Sequence, residues 1–231
     1  MRNVPSDTPV RLVVINAGVG DPSTTRLLAD QVAQKSIEAF EAAGLKTSLS
    51  VVDLAPLAGD IARAMVAGFP GEKLAEVLEK LAGADAVIAA APVYKAGLSG
   101  LFKSFVDLMD NDLLIARPMI LVATAGSARH AMVLDDHMRA LFAFMRALPV
   151  PTAIFAAPED WSAPELSRRI ARAARELAAF VSSGVGRDIA GEAWEQYQHQ
   201  FGSKAARTDQ GGEIVDFDTD LMRLATGGAA K

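Results

Sequence analysis

Short apolar runs alternate with stretches of helical period along this chain. Residues 11–17 form a β-branched run that ends in the glycine-bearing segment Gly18-Val-Gly-Asp-Pro22. A helical pattern follows over 24–43 and stops at Gly44. Residues 47–52 alternate as a strand does and end at Asp53. Residues 61–66 and 73–81 read as helical turns or helices, separated by Gly68, Pro70 and Gly71. A continuous apolar run over 86–91 closes at Pro92, and 101–109 has helical spacing. A second continuous run spans 119–125, followed by Gly126 and Ser127. The spacing over 133–147 predicts a helix with Leu134, Met138, Leu141, Phe142 and Met145 on one side. Residues 152–156 read as a short strand. Residues 163–181 read as an amphipathic helix whose basic face carries Arg168, Arg169, Arg172 and Arg175.

Strand–helix alternation therefore occurs five times. The runs starting at Ala86 and Met119 are apolar on both faces, as a parallel sheet covered on both sides requires. The predicted fold is α/β, a doubly wound five-stranded parallel sheet over residues 8–183. Five strands fit the flavodoxin-like order 2-1-3-4-5 better than a six-strand dinucleotide fold. From Gly184 the character changes, with glycines at 184, 186, 191, 202, 211, 212, 227 and 228. Residues 192–201 read as a helix, and 213–224 mix charges with Ile214, Val215, Phe217, Leu221 and Met222. The C-terminal tail 184–231 has no core of its own. Three fates stay open for its apolar residues: packing on the parent domain, packing on a second subunit, or disorder.

Composition narrows the chemistry. Among 231 residues there is no cysteine, which excludes disulfides, thiolate metal sites, iron–sulfur clusters and a Cys nucleophile. Lys and Arg number 23 against 28 Asp and Glu, a net charge of −5 with no basic block, so nucleic acid is not an expected partner. The 51% hydrophobic content is too high for a disordered chain, and only 6% is aromatic. The polar start has no signal-peptide core before Val10. The longest apolar runs are far shorter than the ~20 residues of a membrane span. A cytoplasmic protein with no membrane partner is expected.

In open α/β sheets ligands bind beyond the carboxyl ends of the strands. Three loops qualify. The first, residues 18–26, leads into a helix N-terminus, where free N–H groups attract an anion. Ser23, Thr24 and Thr25 add hydroxyl donors, although Ser23 or Thr24 as a simple N-cap explains the same residues. It is neither a Walker A loop nor G-x-G-x-x-G. The second loop, 91–103, carries Tyr94, one of two tyrosines. It either packs on a planar ligand or closes the sheet edge, and Ser99 reads as an N-cap. The third, 124–130, offers backbone donors at Gly126 and Ser127 and ends at His130, which reads equally as a surface residue. No His, Asp and Glu grouping has metal-ligand spacing, and no Ser-His-Asp signature is present.

Together these loops resemble the NAD(P)H-dependent FMN reductases of flavodoxin-like fold, over about residues 10–183. Ser23-Thr24-Thr25-Arg26 is similar to that family's Ser-x-Thr phosphate segment. Pro92-Val93-Tyr94-Lys95, followed by Leu98-Ser99-Gly100 and Lys103, resembles its Pro-x-Tyr and Ser-Gly-x-x-Lys stretch around the isoalloxazine and ribityl chain. Ala123-Thr124-Ala125-Gly126-Ser127 with His130 resembles its Ala-Thr-Gly-Gly and His segment near the ring. Ala157-Pro158-Glu159-Asp160-Trp161 looks like a subgroup marker.

The resemblance implies FMN as the flavin and NADPH or NADH as co-substrate, with a homodimer or homotetramer. The implied FMN-binding residues are Ser23, Thr24, Thr25, Arg26, Pro92, Val93, Tyr94, Lys95, Ser99, Thr124, Ala125, Gly126, Ser127 and His130. Neither a metal site nor a catalytic side chain is implied, because hydride passes from nicotinamide to flavin. The implied activity is reduction of FMN for a partner flavin-dependent monooxygenase. Two further readings are a quinone, azo or metal-ion reductase with tightly bound FMN, and an electron-transfer protein without an NAD(P)H site.

Overall fold

The computed structural model describes residues 8–191. The segments expected over 192–201 and 213–224 lie outside the described residues. The strands are β1 (Val10–Asn16), β2 (Thr47–Asp53), β3 (Ala86–Tyr94), β4 (Gly97–Leu98), β5 (Pro118–Thr124), β6 (Leu148–Pro149) and β7 (Ile154–Ala156). The parallel order is β2-β1-β3-β5-β6, with β7 also paired to β5 and β4 antiparallel to β3.

The sheet is apolar on both faces because successive side chains point to opposite sides. Val13, Ile15, Val87, Ala89, Leu121 and Ala123 face one core. Leu12, Val14, Ile88, Ala90, Ile120 and Val122 face the other. Helices cover both. Helix α1 (Thr24–Ala42) packs on the second face, while α2 (Ala58–Ala67), α3 (Glu72–Ala82), α4 (Gly100–Val106) and α5 (Ala140–Phe144) pack on the first. Helix α6 (Pro164–Ser183) joins α1, and the short α7 (Val185–Ala190) follows it. Alanines on strands and helices let these layers approach closely.

The local signals at helix ends are physical. Ser23 caps α1, its Oγ accepting the Arg26 N–H at 3.2 Å. Gly44 ends that segment with a φ of 76°, a left-handed conformation that costs glycine little. Pro164 occupies the first turn of α6, where a missing N–H is harmless.

The structure corrects four expectations. The sheet contains seven strand segments rather than five in the order 2-1-3-4-5. The last expected strand, 152–156, forms only as the three-residue β7, and an unexpected two-residue segment, β6, pairs with the start of β5. Between the Pro118–Leu148 and Val122–Ile154 pairs this edge uses two more residues than β5 does. Pro149 and Pro151 lack the N–H a ladder needs, and Thr152 turns to the Glu176 carboxylate, donating its N–H and hydroxyl at 2.8 Å each. The helix expected over 133–147 opens as a π-helical stretch, Leu134–Arg139, before α5. Leu134 and Met138, four residues apart on one face of it, are both buried. Strand β3 also continues through Pro92 to Tyr94. Its pairing with β1 stops at Ala90, so the missing Pro92 N–H falls beyond that ladder.

Phe102 and Phe142 meet edge-to-face at 6.2 Å between ring centroids, both fully buried, tying α4 to α5. Phe142→Ala should lower stability by ~3–5 kcal/mol, since the cavity left between two helices and the sheet closes only partly. The midpoint of urea unfolding, with an unchanged m-value, checks this.

Candidate functional site

The carboxyl ends of β1, β3 and β5 open into one cleft of about 270 Å³. Its wall includes Ser23, Thr24 and Thr25 from the first loop, Pro92, Val93 and Tyr94 from the second, and Thr124, Ala125 and Gly126 from the third. All three loops named from the sequence thus meet. No residue lining the cleft carries a charge. Attraction for an anion must come from hydroxyls and from the free N–H groups at the start of α1.

The first loop is drawn tight by Asn16, buried at the end of β1. Its amide donates to Asp53 Oδ1 at 2.8 Å, and its Oδ1 accepts the Gly18 N–H at 3.1 Å. Gly18 then has no room for a side chain: an added Cβ would sit 2.0 Å from Ser23 Oγ and 3.0 Å from Thr25 Cβ. The missing Cβ lets the backbone close against the capping serine. The Asp21–Pro22 peptide in this loop is cis.

The second loop is a two-residue hairpin. Tyr94 pairs with Gly97, leaving Lys95 and Ala96 at the tip with φ of 50° and 63°. Both lie in the left-handed region that side chains disfavour. The hairpin directs Tyr94, half exposed, to the cleft rim. In the third loop the Ala125 N–H donates to the Ala156 carbonyl at 3.1 Å. Thr124, buried, shares a hydrogen bond of 2.6 Å with the buried Thr25 hydroxyl across the cleft floor.

The remaining expected residues do not line this cleft. Arg26 donates to Asp30 at 2.8 Å and Asp53 at 2.7 Å. Its pKa is raised by the hydrogen bond to Asp30 first, with Asp53 adding and burial opposing. Lys95 is exposed at the hairpin tip. Ser99 is buried as the cap of α4, its Oγ accepting the Phe102 N–H at 3.3 Å. Ser127 Oγ accepts the Arg129 N–H at 3.4 Å, and His130 ends that short turn half buried.

Conversely, Gly18, Val19, Gly20, Pro22, Ala156, Pro158 and Trp161 line the cleft without having been assigned to it. Trp161 is the informative omission. Its segment follows the last strand at the carboxyl edge, a position that itself marks a ligand loop. Asp160 closes the turn carrying it, accepting the Ala157 N–H at 2.8 Å. Among the described residues no group of three or more His, Asp and Glu is placed to hold a metal.

The arrangement offers a polar, anion-seeking end and apolar walls built from Pro92, Val93, Tyr94 and Trp161. That is a fit for a planar group carrying a phosphate. The model of a family described as NADPH-dependent FMN reductase matches residues 10–162. One curated relative, the NADH-dependent FMN reductase SfnF of Pseudomonas fluorescens, is 34% identical over 74% of this chain and 89% of its own length. The solved structure of an oxidoreductase from Corynebacterium diphtheriae is 43% identical, with a TM-score of 0.74 over 76% of this chain and 98% of that one. A flavodoxin, WrbA-like protein from Agrobacterium tumefaciens, 20% identical, shares the fold with a TM-score of 0.52, covering 79% of this chain and 99% of that one. The α/β fold is thus flavodoxin-like.

Two substitutions probe the loops. Gly18→Ala should push Ser23 from its capping position, costing ~1 kcal/mol of stability and weakening FMN binding about tenfold. Urea unfolding and flavin-fluorescence titration read the two effects. Ala96→Gly should relieve part of a left-handed penalty of ~1–2 kcal/mol at the hairpin tip. It should raise the midpoint of unfolding by a few degrees in calorimetry.

Proposed function

The chain belongs to the NADPH-dependent FMN reductase family, and from that premise we propose that it hands reduced FMN to a separate flavin-dependent monooxygenase. It is an oxidoreductase that uses NAD(P)H as electron donor and FMN as flavin. The observation that carries the assignment of the cleft is its uncharged lining, hydroxyl-rich beside the α1 N-terminus and apolar elsewhere.

In this reading Ser23, Thr24 and Thr25, with the first N–H groups of α1, hold the phosphate. Pro92, Val93 and Tyr94 flank the ribityl chain and ring. Thr124, Ala125 and Gly126 line the ring from β5, and Trp161 adds an apolar wall. Bound FMN supplies the hydride acceptor, and the side chains supply binding, orientation and exclusion of water. No carboxylate, imidazole or ammonium lines the cleft, so its side chains carry no acid–base duty near neutral pH.

Release of the flavin is favoured by the shape of the cleft. At about 270 Å³ it falls below the ~300–1,000 Å³ of pockets that bury a drug-sized ligand. Tyr94 stands half exposed at its rim. A cleft of this size would enclose FMN only in part, which favours exchange over retention.

The flavin-binding unit is residues 8–183, with 184–231 as an extension. The protein acts in the cytoplasm, where NAD(P)H is available. It works as a homo-oligomer, a reading supported by large apolar side chains left in solvent, with Val66 91% and Phe69 and Phe144 each 67% exposed. Among the described residues no helix is long and apolar enough to cross a membrane.

Oxidation of NADPH and NADH by the purified protein tests the exchange reading. The protein should be nearly colourless, and oxidation should rise with added FMN and saturate. A yellow protein that passes electrons from NAD(P)H to a quinone without added FMN would overturn it.

A further inference from the structure

The hydroxyls of Thr25 and Thr124 lie 2.6 Å apart, come from positions 99 residues apart in the chain, and both line the cleft. Both residues are buried, exposed by only 2% and 5%. Each hydroxyl has one proton and two lone pairs, so their shared contact consumes only one of two protons. Two arrangements satisfy it. If Thr25 donates, Thr124 keeps a proton to offer to a ligand. If Thr124 donates, Thr25 keeps the proton and Thr124 presents only lone pairs.

An anion at the start of α1 breaks this degeneracy. Phosphate oxygens accept and have no proton to give the pair, and charge-assisted hydrogen bonds are the stronger kind. A Thr25 proton drawn to phosphate obliges Thr25 to accept from Thr124. Thr124 then has its proton committed and becomes an acceptor toward the rest of the ligand.

Resting on the assignment of this cleft to FMN, we propose that the Thr25–Thr124 pair is a polarity relay. The phosphate orients the Thr124 hydroxyl through Thr25, so Thr124 is a positioning residue that accepts from the flavin or its ribityl chain only when phosphate is present. The pair thereby distinguishes FMN from riboflavin beyond the direct phosphate contact. It also joins the loop after β1 to the loop after β5 without any charged group, since the cleft lining has none. Cooperative polarisation of linked hydrogen bonds strengthens such a chain.

A double-mutant cycle decides the matter. FMN and riboflavin are titrated by flavin fluorescence against the wild type, Thr25→Val, Thr124→Val and the double variant. Valine keeps the shape of threonine, and the double variant removes both partners, the change least harmful to folding. Thr25→Ser and Thr124→Ser keep the hydroxyls and serve as rescue.

For FMN, Thr25→Val should weaken binding ~10-fold or more and Thr124→Val ~5-fold, with the double variant within about twofold of Thr25→Val. For riboflavin the two changes should combine independently within about twofold. Both serine variants should bind FMN near wild-type affinity. Independent effects on FMN overturn the relay while leaving the cleft as the flavin site. Equal coupling for FMN and riboflavin also overturns it, since the pair would then be a structural contact indifferent to phosphate. FMN affinity unmoved by every valine variant overturns the flavin assignment itself.

Discussion

The central strands impose the governing constraint. None of residues 86–93 or 118–123 before their last turns carries a polar side chain, apart from the backbone itself. Both faces of β3 and β5 must therefore leave water, which requires helices on both sides. Polar groups that serve a ligand are displaced to the strand ends. The cleft lies at the carboxyl edge for that reason, where β1 and β5 finish in Asn16 and Thr124, each buried and hydrogen-bonded.

An uncharged binding cleft has its own logic. The Arg26 guanidinium near it is spent on architecture: it bridges Asp30 and Asp53, and Asp53 in turn receives the Asn16 amide. That network holds the loop after β1 against the end of β2. A flexible guanidinium reaching for phosphate would bind more tightly, whereas backbone N–H groups and hydroxyls bind without a buried countercharge.

Much of the site was legible because its residues lie in continuous loops after strands with strong apolar runs. Ser23, Thr24, Thr25, Pro92, Val93, Tyr94, Thr124, Ala125 and Gly126 all reach the cleft wall. Arg26 and Ser99 share those loops but not the wall, because helical geometry turns neighbouring side chains in different directions. One points to acidic partners and the other caps α4. Trp161 belongs to the Ala157–Trp161 segment, legible only as a subgroup signature, and its place on the wall emerges when the turn closed by Asp160 brings it to the carboxyl edge.

The sequence by itself determined the layered α/β architecture, the parallel sheet and the three ligand loops. Period, glycine placement and apolar runs are local properties that any conformer of the chain carries. Only the tertiary structure decided the extra edge segment β6, the π-helical opening before α5, the commitment of Arg26 to carboxylates and the meeting of Thr25 with Thr124. The meetings of Arg26 with Asp53 and of Thr25 with Thr124 bring together atoms 27 and 99 residues apart in the chain. No local pattern encodes that distance, because it results from packing both helix layers against one sheet.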